Sequence, residues 1–529
     1  MVSLRLLLCA LCASVVSSPS DDIWLCNRTR RENRERLRPS ERRSNYSGRR
    51  IEPLPRLCYT WGFHGLRHAH SMYANAHARL IERMASLLRG AGRDVPVRLL
   101  RAETEIPETP PLLWLHAQRT AERSYWSDRD GAAEWAGAGV AYEVTGTPRT
   151  SHAEAADRCA ALLAPSSPGV RFLGGFRFDS SAPGGRPWES FPPCSFVVPR
   201  VECRRTAEGT VLACNVSWSP GMRTDAALAL LAADLRAVRP PAPIVPDPPP
   251  AIRRRLDVPA FPKWREGIEA VLEGCARGTL RKVVLARKTE LALATPIDAC
   301  ALLDRLSSGS MPCFAFLFQH GREDAFLGVT PELLYRREGR ALRAEALAGT
   351  CGRDPDPARD AALGSEFLHS DKDLAEHRVV RTTLQADLRA LCSDLAEPGD
   401  EDLVVLPHLR HLVTRFRGVL AGGVTDGAIL ARLHPTAAVG GDPRAAALDA
   451  IAALENFDRG WYAAPVGWIA RDAAEFAVAI RSAHCARDRL TLYAGAGIVA
   501  GSDPAGEWDE NERKLAPFLK ALDGNGKRS

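Results

Sequence analysis

The chain has 529 residues, 45% of them apolar, with 70 Lys and Arg against 64 Asp and Glu, a net charge of +6. That is enough for a large core and for more than one domain. Residues 1–50 hold eleven arginines and no lysine against five acidic residues, so they carry the whole surplus; the neutral remainder excludes a broad basic surface for nucleic acid.

At the N-terminus, Arg5 precedes an apolar run, Leu6–Val16. The run has the size of a signal-peptide core and is too short to span a membrane, so residues 1–18 are predicted to be a signal peptide. Residues 19–52 contain "NRTRRENRERLRPSERRSNYSGRR", Arg-rich and Ser-containing like a transit peptide. Together they predict a two-part plastid address through the secretory route, with secretion or a mitochondrion as alternatives. Cys9 and Cys12 lie in the apolar run, and the other twelve cysteines are scattered without a CxxC pair. In a long chain this reads as reduced core cysteines rather than a disulfide framework. Asn27, Asn45 and Asn215 sit in N-x-[ST] sequons.

Residues 53–239 mix helix and strand signals: "HSMYANAHARLIERMASLLRG" as a helix with a Gly stop, "VRFLGGFRFD" and "CSFVVPRVECRR" as strands, "ALALLAADLRAV" as a helix. "RPPAPIVPDPPP" then predicts an extended surface connection over 240–260. In residues 261–523 an amphipathic helix, "KWREGIEAVLEGCARG", precedes the strand "LRKVVLARKTELAL". "CFAFLFQ", "AFLGV", "ELLYRR" and "ALRAEAL", divided by short turns, predict an antiparallel meander. A long helix, "SDKDLAEHRVVRTTLQADLRALC", follows; then come the strand "HLVTRFRGVL", two helices, and the strands "FAVAIRSAHC" and "RLTLYAGAGIV". The fold class is α/β or α+β: one large domain with antiparallel sheets packed between helices.

Local physics marks a few side chains. Lys282 shares the alternating strand face of Val284 and Ala286, where a buried amine is costly, although a strand-end Lys commonly reaches solvent. Glu332 follows "GVTP" at what could be an ordinary turn. Glu376 lies near the Val380–Leu384 stripe of its helix, where a carboxylate wants a partner or occupies a simple boundary position. Arg481 ends "FAVAIR", suited to bind a carboxylate or to form a structural salt bridge. In "GAGIVAGSDPAGEWDENERK", Asp503 and Pro504 start a helix that sets Glu507, Glu510 and Lys514 on one face, either a solvated face or a ligand site.

Taken in order, "KVVLAR", "FLGVTPELLYR", "EALAGT", "SDKDLAEHRVV", "HLVTRFRGVL", "LHPTAAVGG", "FAVAIRSA" and the closing segment resemble the chorismate-utilising enzymes, which include isochorismate, salicylate, anthranilate and aminodeoxychorismate synthases. The resemblance covers 261–522 and extends through "FLGGFRFDSSAPGGRPWESFPPCSFVVPRVE"; residues before about 112 match poorly. It implies a Mg²⁺ site of Glu376 and Glu510, with Glu507 acting through water, and chorismate as the substrate. Arg481 and Lys514 would hold a substrate carboxylate, Gly349 and His411 would line the site, and a Gly495–Gly497 turn would bring backbone close. Ala348 stands where the aminodeoxychorismate branch has a nucleophilic Lys, which rejects that branch. The resemblance makes Lys282 the general base and Glu332 the general acid of an isochorismate-forming enzyme, with salicylate synthase as the alternative within the family. A non-catalytic secreted binding protein is the competitor from another class. Ala437 replaces a Pro usual in the family, which bears on a loop and on no catalytic group. No nucleic-acid partner and no membrane span is expected, and a monomer is expected.

Overall fold

Alternation within strands sets the middle of the fold. In the strand Phe314–His320, Phe314, Phe316 and Phe318 enter one hydrophobic core while Ala315 and Leu317 enter another. The neighbouring strand Asp324–Thr330 does the same, Phe326 on one side and Ala325 and Leu327 on the other. A strand buried on both faces reads as a continuous apolar run, which is why "CFAFLFQ" lacks polar alternation. The first core gathers Trp188, Phe191, Trp461 and Phe476. The second takes Tyr73, Ala76, Leu80 and Met84 from the helix Phe63–Gly90, and Leu515, Phe518 and Leu522 from the last helix.

This computed structural model describes residues 63–523, apart from 93, 183, 245–247, 309–311, 400, 407 and 408. The expected signal and transit segments lie outside the described residues, as do Asn27 and Asn45. Among the described residues, twenty strands join in one hydrogen-bonded antiparallel network. Its pairings cross between the two halves of the chain: Arg123–Ser127 pairs with Phe314–His320, and Arg171–Phe176 with Pro465–Ala470. All ten described cysteines are free and buried or half-buried, in line with the sequence reading. Asn215 is fully buried and donates to the Pro199 carbonyl, so this sequon is inaccessible in the fold. No described helix is long and apolar enough to cross a membrane.

Three expectations change. The meander is two hairpins instead: Asp324–Thr330 pairs with Phe314–His320, and Leu333–Glu338 with Ala341–Gly352. Pro331 between them lacks an N–H, and each inner strand takes a different outer neighbour, Ser482–Ala486 or Ala473–Val478. "FAVAIRSAHC" is correspondingly two strands, broken at Ala479–Arg481, where Arg481 has φ +50°. The connection predicted over 240–260 ends early: Ile252–Val258 is an edge strand on Lys282–Leu293. Its exposed Arg253, Arg254 and Arg255 hide the apolar signal, as is common at a sheet edge.

Candidate active site

Two paired strands form the floor. Lys282–Leu293 runs antiparallel to Arg489–Ile498, with Val284 opposite Gly497 and Ala286 opposite Gly495. Lys282 is 1% exposed, and its Nζ lies 2.9 Å from Glu376 Oε1. Glu376 comes from the helix Asp371–Leu391, anchored by Val380, Leu384, Leu388 and Leu391 on its buried side. A Cβ on Gly497 would stand 2.2 Å from Glu376 Oε1 and 2.7 Å from Lys282 Cε. Only glycine leaves room for this ion pair on the strand. The expected Gly495–Gly497 turn is therefore a regular strand segment, and the glycines serve close approach rather than chain reversal.

The helix Pro504–Leu522 closes one side. Asp503 caps it, accepting from the Gly506 N–H at 2.7 Å. Lys514 reaches back to donate to the Gly495 carbonyl at 2.7 Å and to Glu510 at 2.6 Å. Glu507, on the same helix, accepts from Lys372 at 2.7 Å. Glu376, Glu507 and Glu510 thus each have their own ammonium: Lys282, Lys372 and Lys514. Burial pushes the Glu510 carboxyl up, but Lys514 and Lys372 outweigh it and hold it below its ordinary range. Burial and the neighbouring Glu510 charge raise Glu507 despite Lys372. Burial likewise raises Asp373, and the Glu376 charge adds to it.

These hard oxygens suit Mg²⁺, which is held by one or two carboxylates plus waters and substrate rather than by an all-protein cage. The glutamates are not drawn into a tight cluster. Among the described residues, the one trio of His, Cys, Asp or Glu with ligand atoms within 4.8 Å of one another is His116, Asp298 and Cys300. Asp298 there is occupied as a helix N-cap, and burial pushes the Cys300 thiol up to about 12, which disfavours a thiolate ligand.

Glu332 sits at the turn before Leu333–Glu338 and is 4% exposed. Burial pushes its carboxyl up to about 8, against the pull of Lys282 and with a further push from Glu345. Across the site Arg481 is half-buried, and its guanidinium donates to His411 Nε2 at 3.1 Å. His411 Nδ1 lies 2.9 Å from the Gly349 carbonyl, which can only accept, so Nδ1 carries the proton and Nε2 is free to accept. Burial and the Arg481 charge lower the His411 pKa to about 3, keeping the ring neutral. Gly349 holds φ +74°, which a side chain would strain. Among the described residues no carboxylate forms an ion pair with Arg481. A half-buried guanidinium whose side-chain partner is a neutral imidazole is suited to an incoming carboxylate.

Electrostatic coupling joins these groups into one site: Glu332 senses Lys282 and Lys514, and His411 senses Arg481, Lys514 and Glu510. The eleven residues singled out in the sequence are brought together. Sequence reasoning missed Lys372, although its i, i+4 spacing to Glu376 put it on the same helix face. It also missed Tyr462, whose hydroxyl would lie 2.9 Å from a Cβ on Gly495; no periodic signal marks that loop residue.

A family model described as "Chorismate binding enzyme" matches residues 86–523. Isochorismate synthase MenF of Bacillus subtilis (strain 168) is 34% identical over 367 residues, covering 68% of this chain and 76% of that protein. The chloroplastic isochorismate synthase of Catharanthus roseus is 32% identical over 373 residues, 68% of this chain and 63% of that protein. The solved structure of MenF, the menaquinone-specific isochorismate synthase from Escherichia coli, superposes with a TM-score of 0.72 at 30% identity, covering 84% of this chain and all of that one. With a family model over most of its length, these identities and this shared fold, the chain belongs to the chorismate-binding enzyme family.

Proposed function

We propose that this protein is an isochorismate synthase that converts chorismate reversibly to isochorismate, with Mg²⁺ as cofactor. The observation that carries the reading is a buried lysine, Lys282, within electrostatic reach of a buried glutamate, Glu332, whose carboxyl burial raises to about 8. A carboxyl with that pKa is protonated at neutral pH and can donate to a departing hydroxyl. Lys282, once it has given up its own proton, is the base that takes one from the water that adds to the ring while the 4-hydroxyl leaves. Arg481, oriented by neutral His411, and Lys514 bind substrate carboxylate. Glu376 and Glu510 would ligate Mg²⁺, with Glu507 acting through water. When bound, the ion supplies charge neutralisation and orientation for the substrate.

The names of the relatives support the activity. They also favour a product that feeds quinone or salicylate synthesis. The experiment is incubation of the purified protein with chorismate over a Mg²⁺ titration, with product identification. Isochorismate alone, formed only with Mg²⁺, is the expected result, and Glu510→Gln should need more Mg²⁺ for half-maximal rate. Salicylate plus pyruvate would select the alternative activity, and full turnover in chelator would remove the metal from the account.

For the N-terminal segment we propose a plastid address, supported by its composition and by the chloroplastic relative. A reporter fused to residues 1–52 should enter plastids; its release into the medium would contradict this.

A further inference from the structure

The turn that carries Glu332 is held partly from within the family motifs and partly from outside them. Thr330 Oγ1 donates to the Val478 carbonyl at 2.7 Å, and the Val478 N–H donates to the Glu332 carbonyl at 3.0 Å. The third tie comes from the N-terminal half: Arg129, just past the strand Arg123–Ser127, donates through NH2 to the Pro331 carbonyl at 2.7 Å. The same guanidinium grips Glu345 with both arms, at 2.9 and 2.7 Å, and lies over the Phe314 ring, 5.1 Å from its centroid. Glu345 is nearly buried and lies on the strand Ala341–Gly352; its other cation is Arg415, 3.7 Å away and largely engaged with Asp402.

We propose that Arg129 and Glu345 form a positioning pair for Glu332: the guanidinium fixes the turn through the Pro331 carbonyl, and Glu345, by occupying the fork, keeps that cation off the acid. The proposal rests on the reading of Glu332 as proton donor. The charged and titratable groups facing Glu332 are Lys282, Lys514, Arg129 and Glu345, with the Tyr462 hydroxyl nearby. Three are cations, so Glu345 is the anion among them that opposes ionisation of the acid. A bidentate carboxylate–guanidinium pair is directional as well as strong, which suits a residue that must both anchor a backbone carbonyl and stay neutralised.

The test is the pH profile of chorismate turnover in Glu345→Gln and Arg129→Lys, with Glu332→Gln alongside. Glu345→Gln frees the guanidinium, so the alkaline limb of kcat should move to lower pH while KM for chorismate stays within about twofold. Arg129→Lys keeps the charge but loses the fork, and should lower kcat several-fold with KM held; this arm decides the matter if Glu345→Gln does not fold. An unmoved alkaline limb in a folded Glu345→Gln, or wild-type kcat in Arg129→Lys, overturns the proposal. If Glu332→Gln is slow and has lost the limb, the donor reading stands independently of that result. If Glu332→Gln keeps both the limb and the rate, the donor reading fails, and the proposal with it.

Discussion

At Glu332, function and stability pull apart. Burial raises its carboxyl from an ordinary value of 4.5 to about 8. The folded chain therefore binds a proton that the unfolded chain has released between those two values. Stability from this group is complete below about 4.5 and declines as pH rises toward 8. Replacing Glu332 with Gln removes that penalty. The variant should melt higher than wild type at pH 7 while losing about 10²–10⁴-fold in turnover, because an amide cannot donate the proton. Wild-type kcat/KM should fall as pH rises through about 8. A variant that melts lower and keeps its rate would mean that Glu332 is a structural turn residue.

At the scale of elements, the strand that carries Lys282 also holds the helix that carries the carboxylates. Arg287, fully buried, places its guanidinium 3.6 Å from the Trp508 ring centroid and pairs with Glu512 and Asp257. Its buried stacking and ion pairing tie Pro504–Leu522 to the floor of the site. Arg287→Met should cost about 1–3 kcal/mol of stability, since Glu512 and Asp257 lose that partner but keep Arg255. It should also weaken Mg²⁺ binding, read by calorimetry, more than chorismate binding. Equal loss of both would assign Arg287 to general stability. The helix itself was legible, since Asp503, Pro504 and the i, i+3, i+7 spacing of Glu507, Glu510 and Lys514 are local signals. The lysine partner of Glu507 and the break at Arg481 were not, because each depends on a tertiary neighbour. Motif order placed Lys282 and Glu332 in one site, but periodicity could not show that either is buried. The edge strand Ile252–Val258 was masked because its side chains answer to solvent rather than to a core.

Across the whole molecule, buried neutral histidines tie the fold to pH. His152 and His434 meet edge-on, 4.9 Å apart, and each ring places Nε2 3.0 Å from a backbone carbonyl, of Arg177 and Phe178 respectively. Burial lowers both below the ordinary value, His434 with a further push from His152. Burial also takes His377 and His484 to about 4, and His411 to about 3. Unfolded histidine titrates near 6.5, so their contribution is intact above about 6.5 and is lost as pH falls below it. Thermal midpoints should be flat from pH 7 to 8 apart from the Glu332 effect, then drop steeply between about 6.5 and 4. A midpoint unchanged down to pH 5 would contradict this.

The central claim is that Lys282 activates a water that becomes the new hydroxyl of the product. Turnover of chorismate in oxygen-18-labelled water, read by mass spectrometry, tests it most directly. Wild type should yield isochorismate heavier by two mass units, and Lys282→Ala should yield none above background while still binding chorismate. Unlabelled isochorismate from wild type, or labelled product from Lys282→Ala at close to the wild-type rate, would contradict the account.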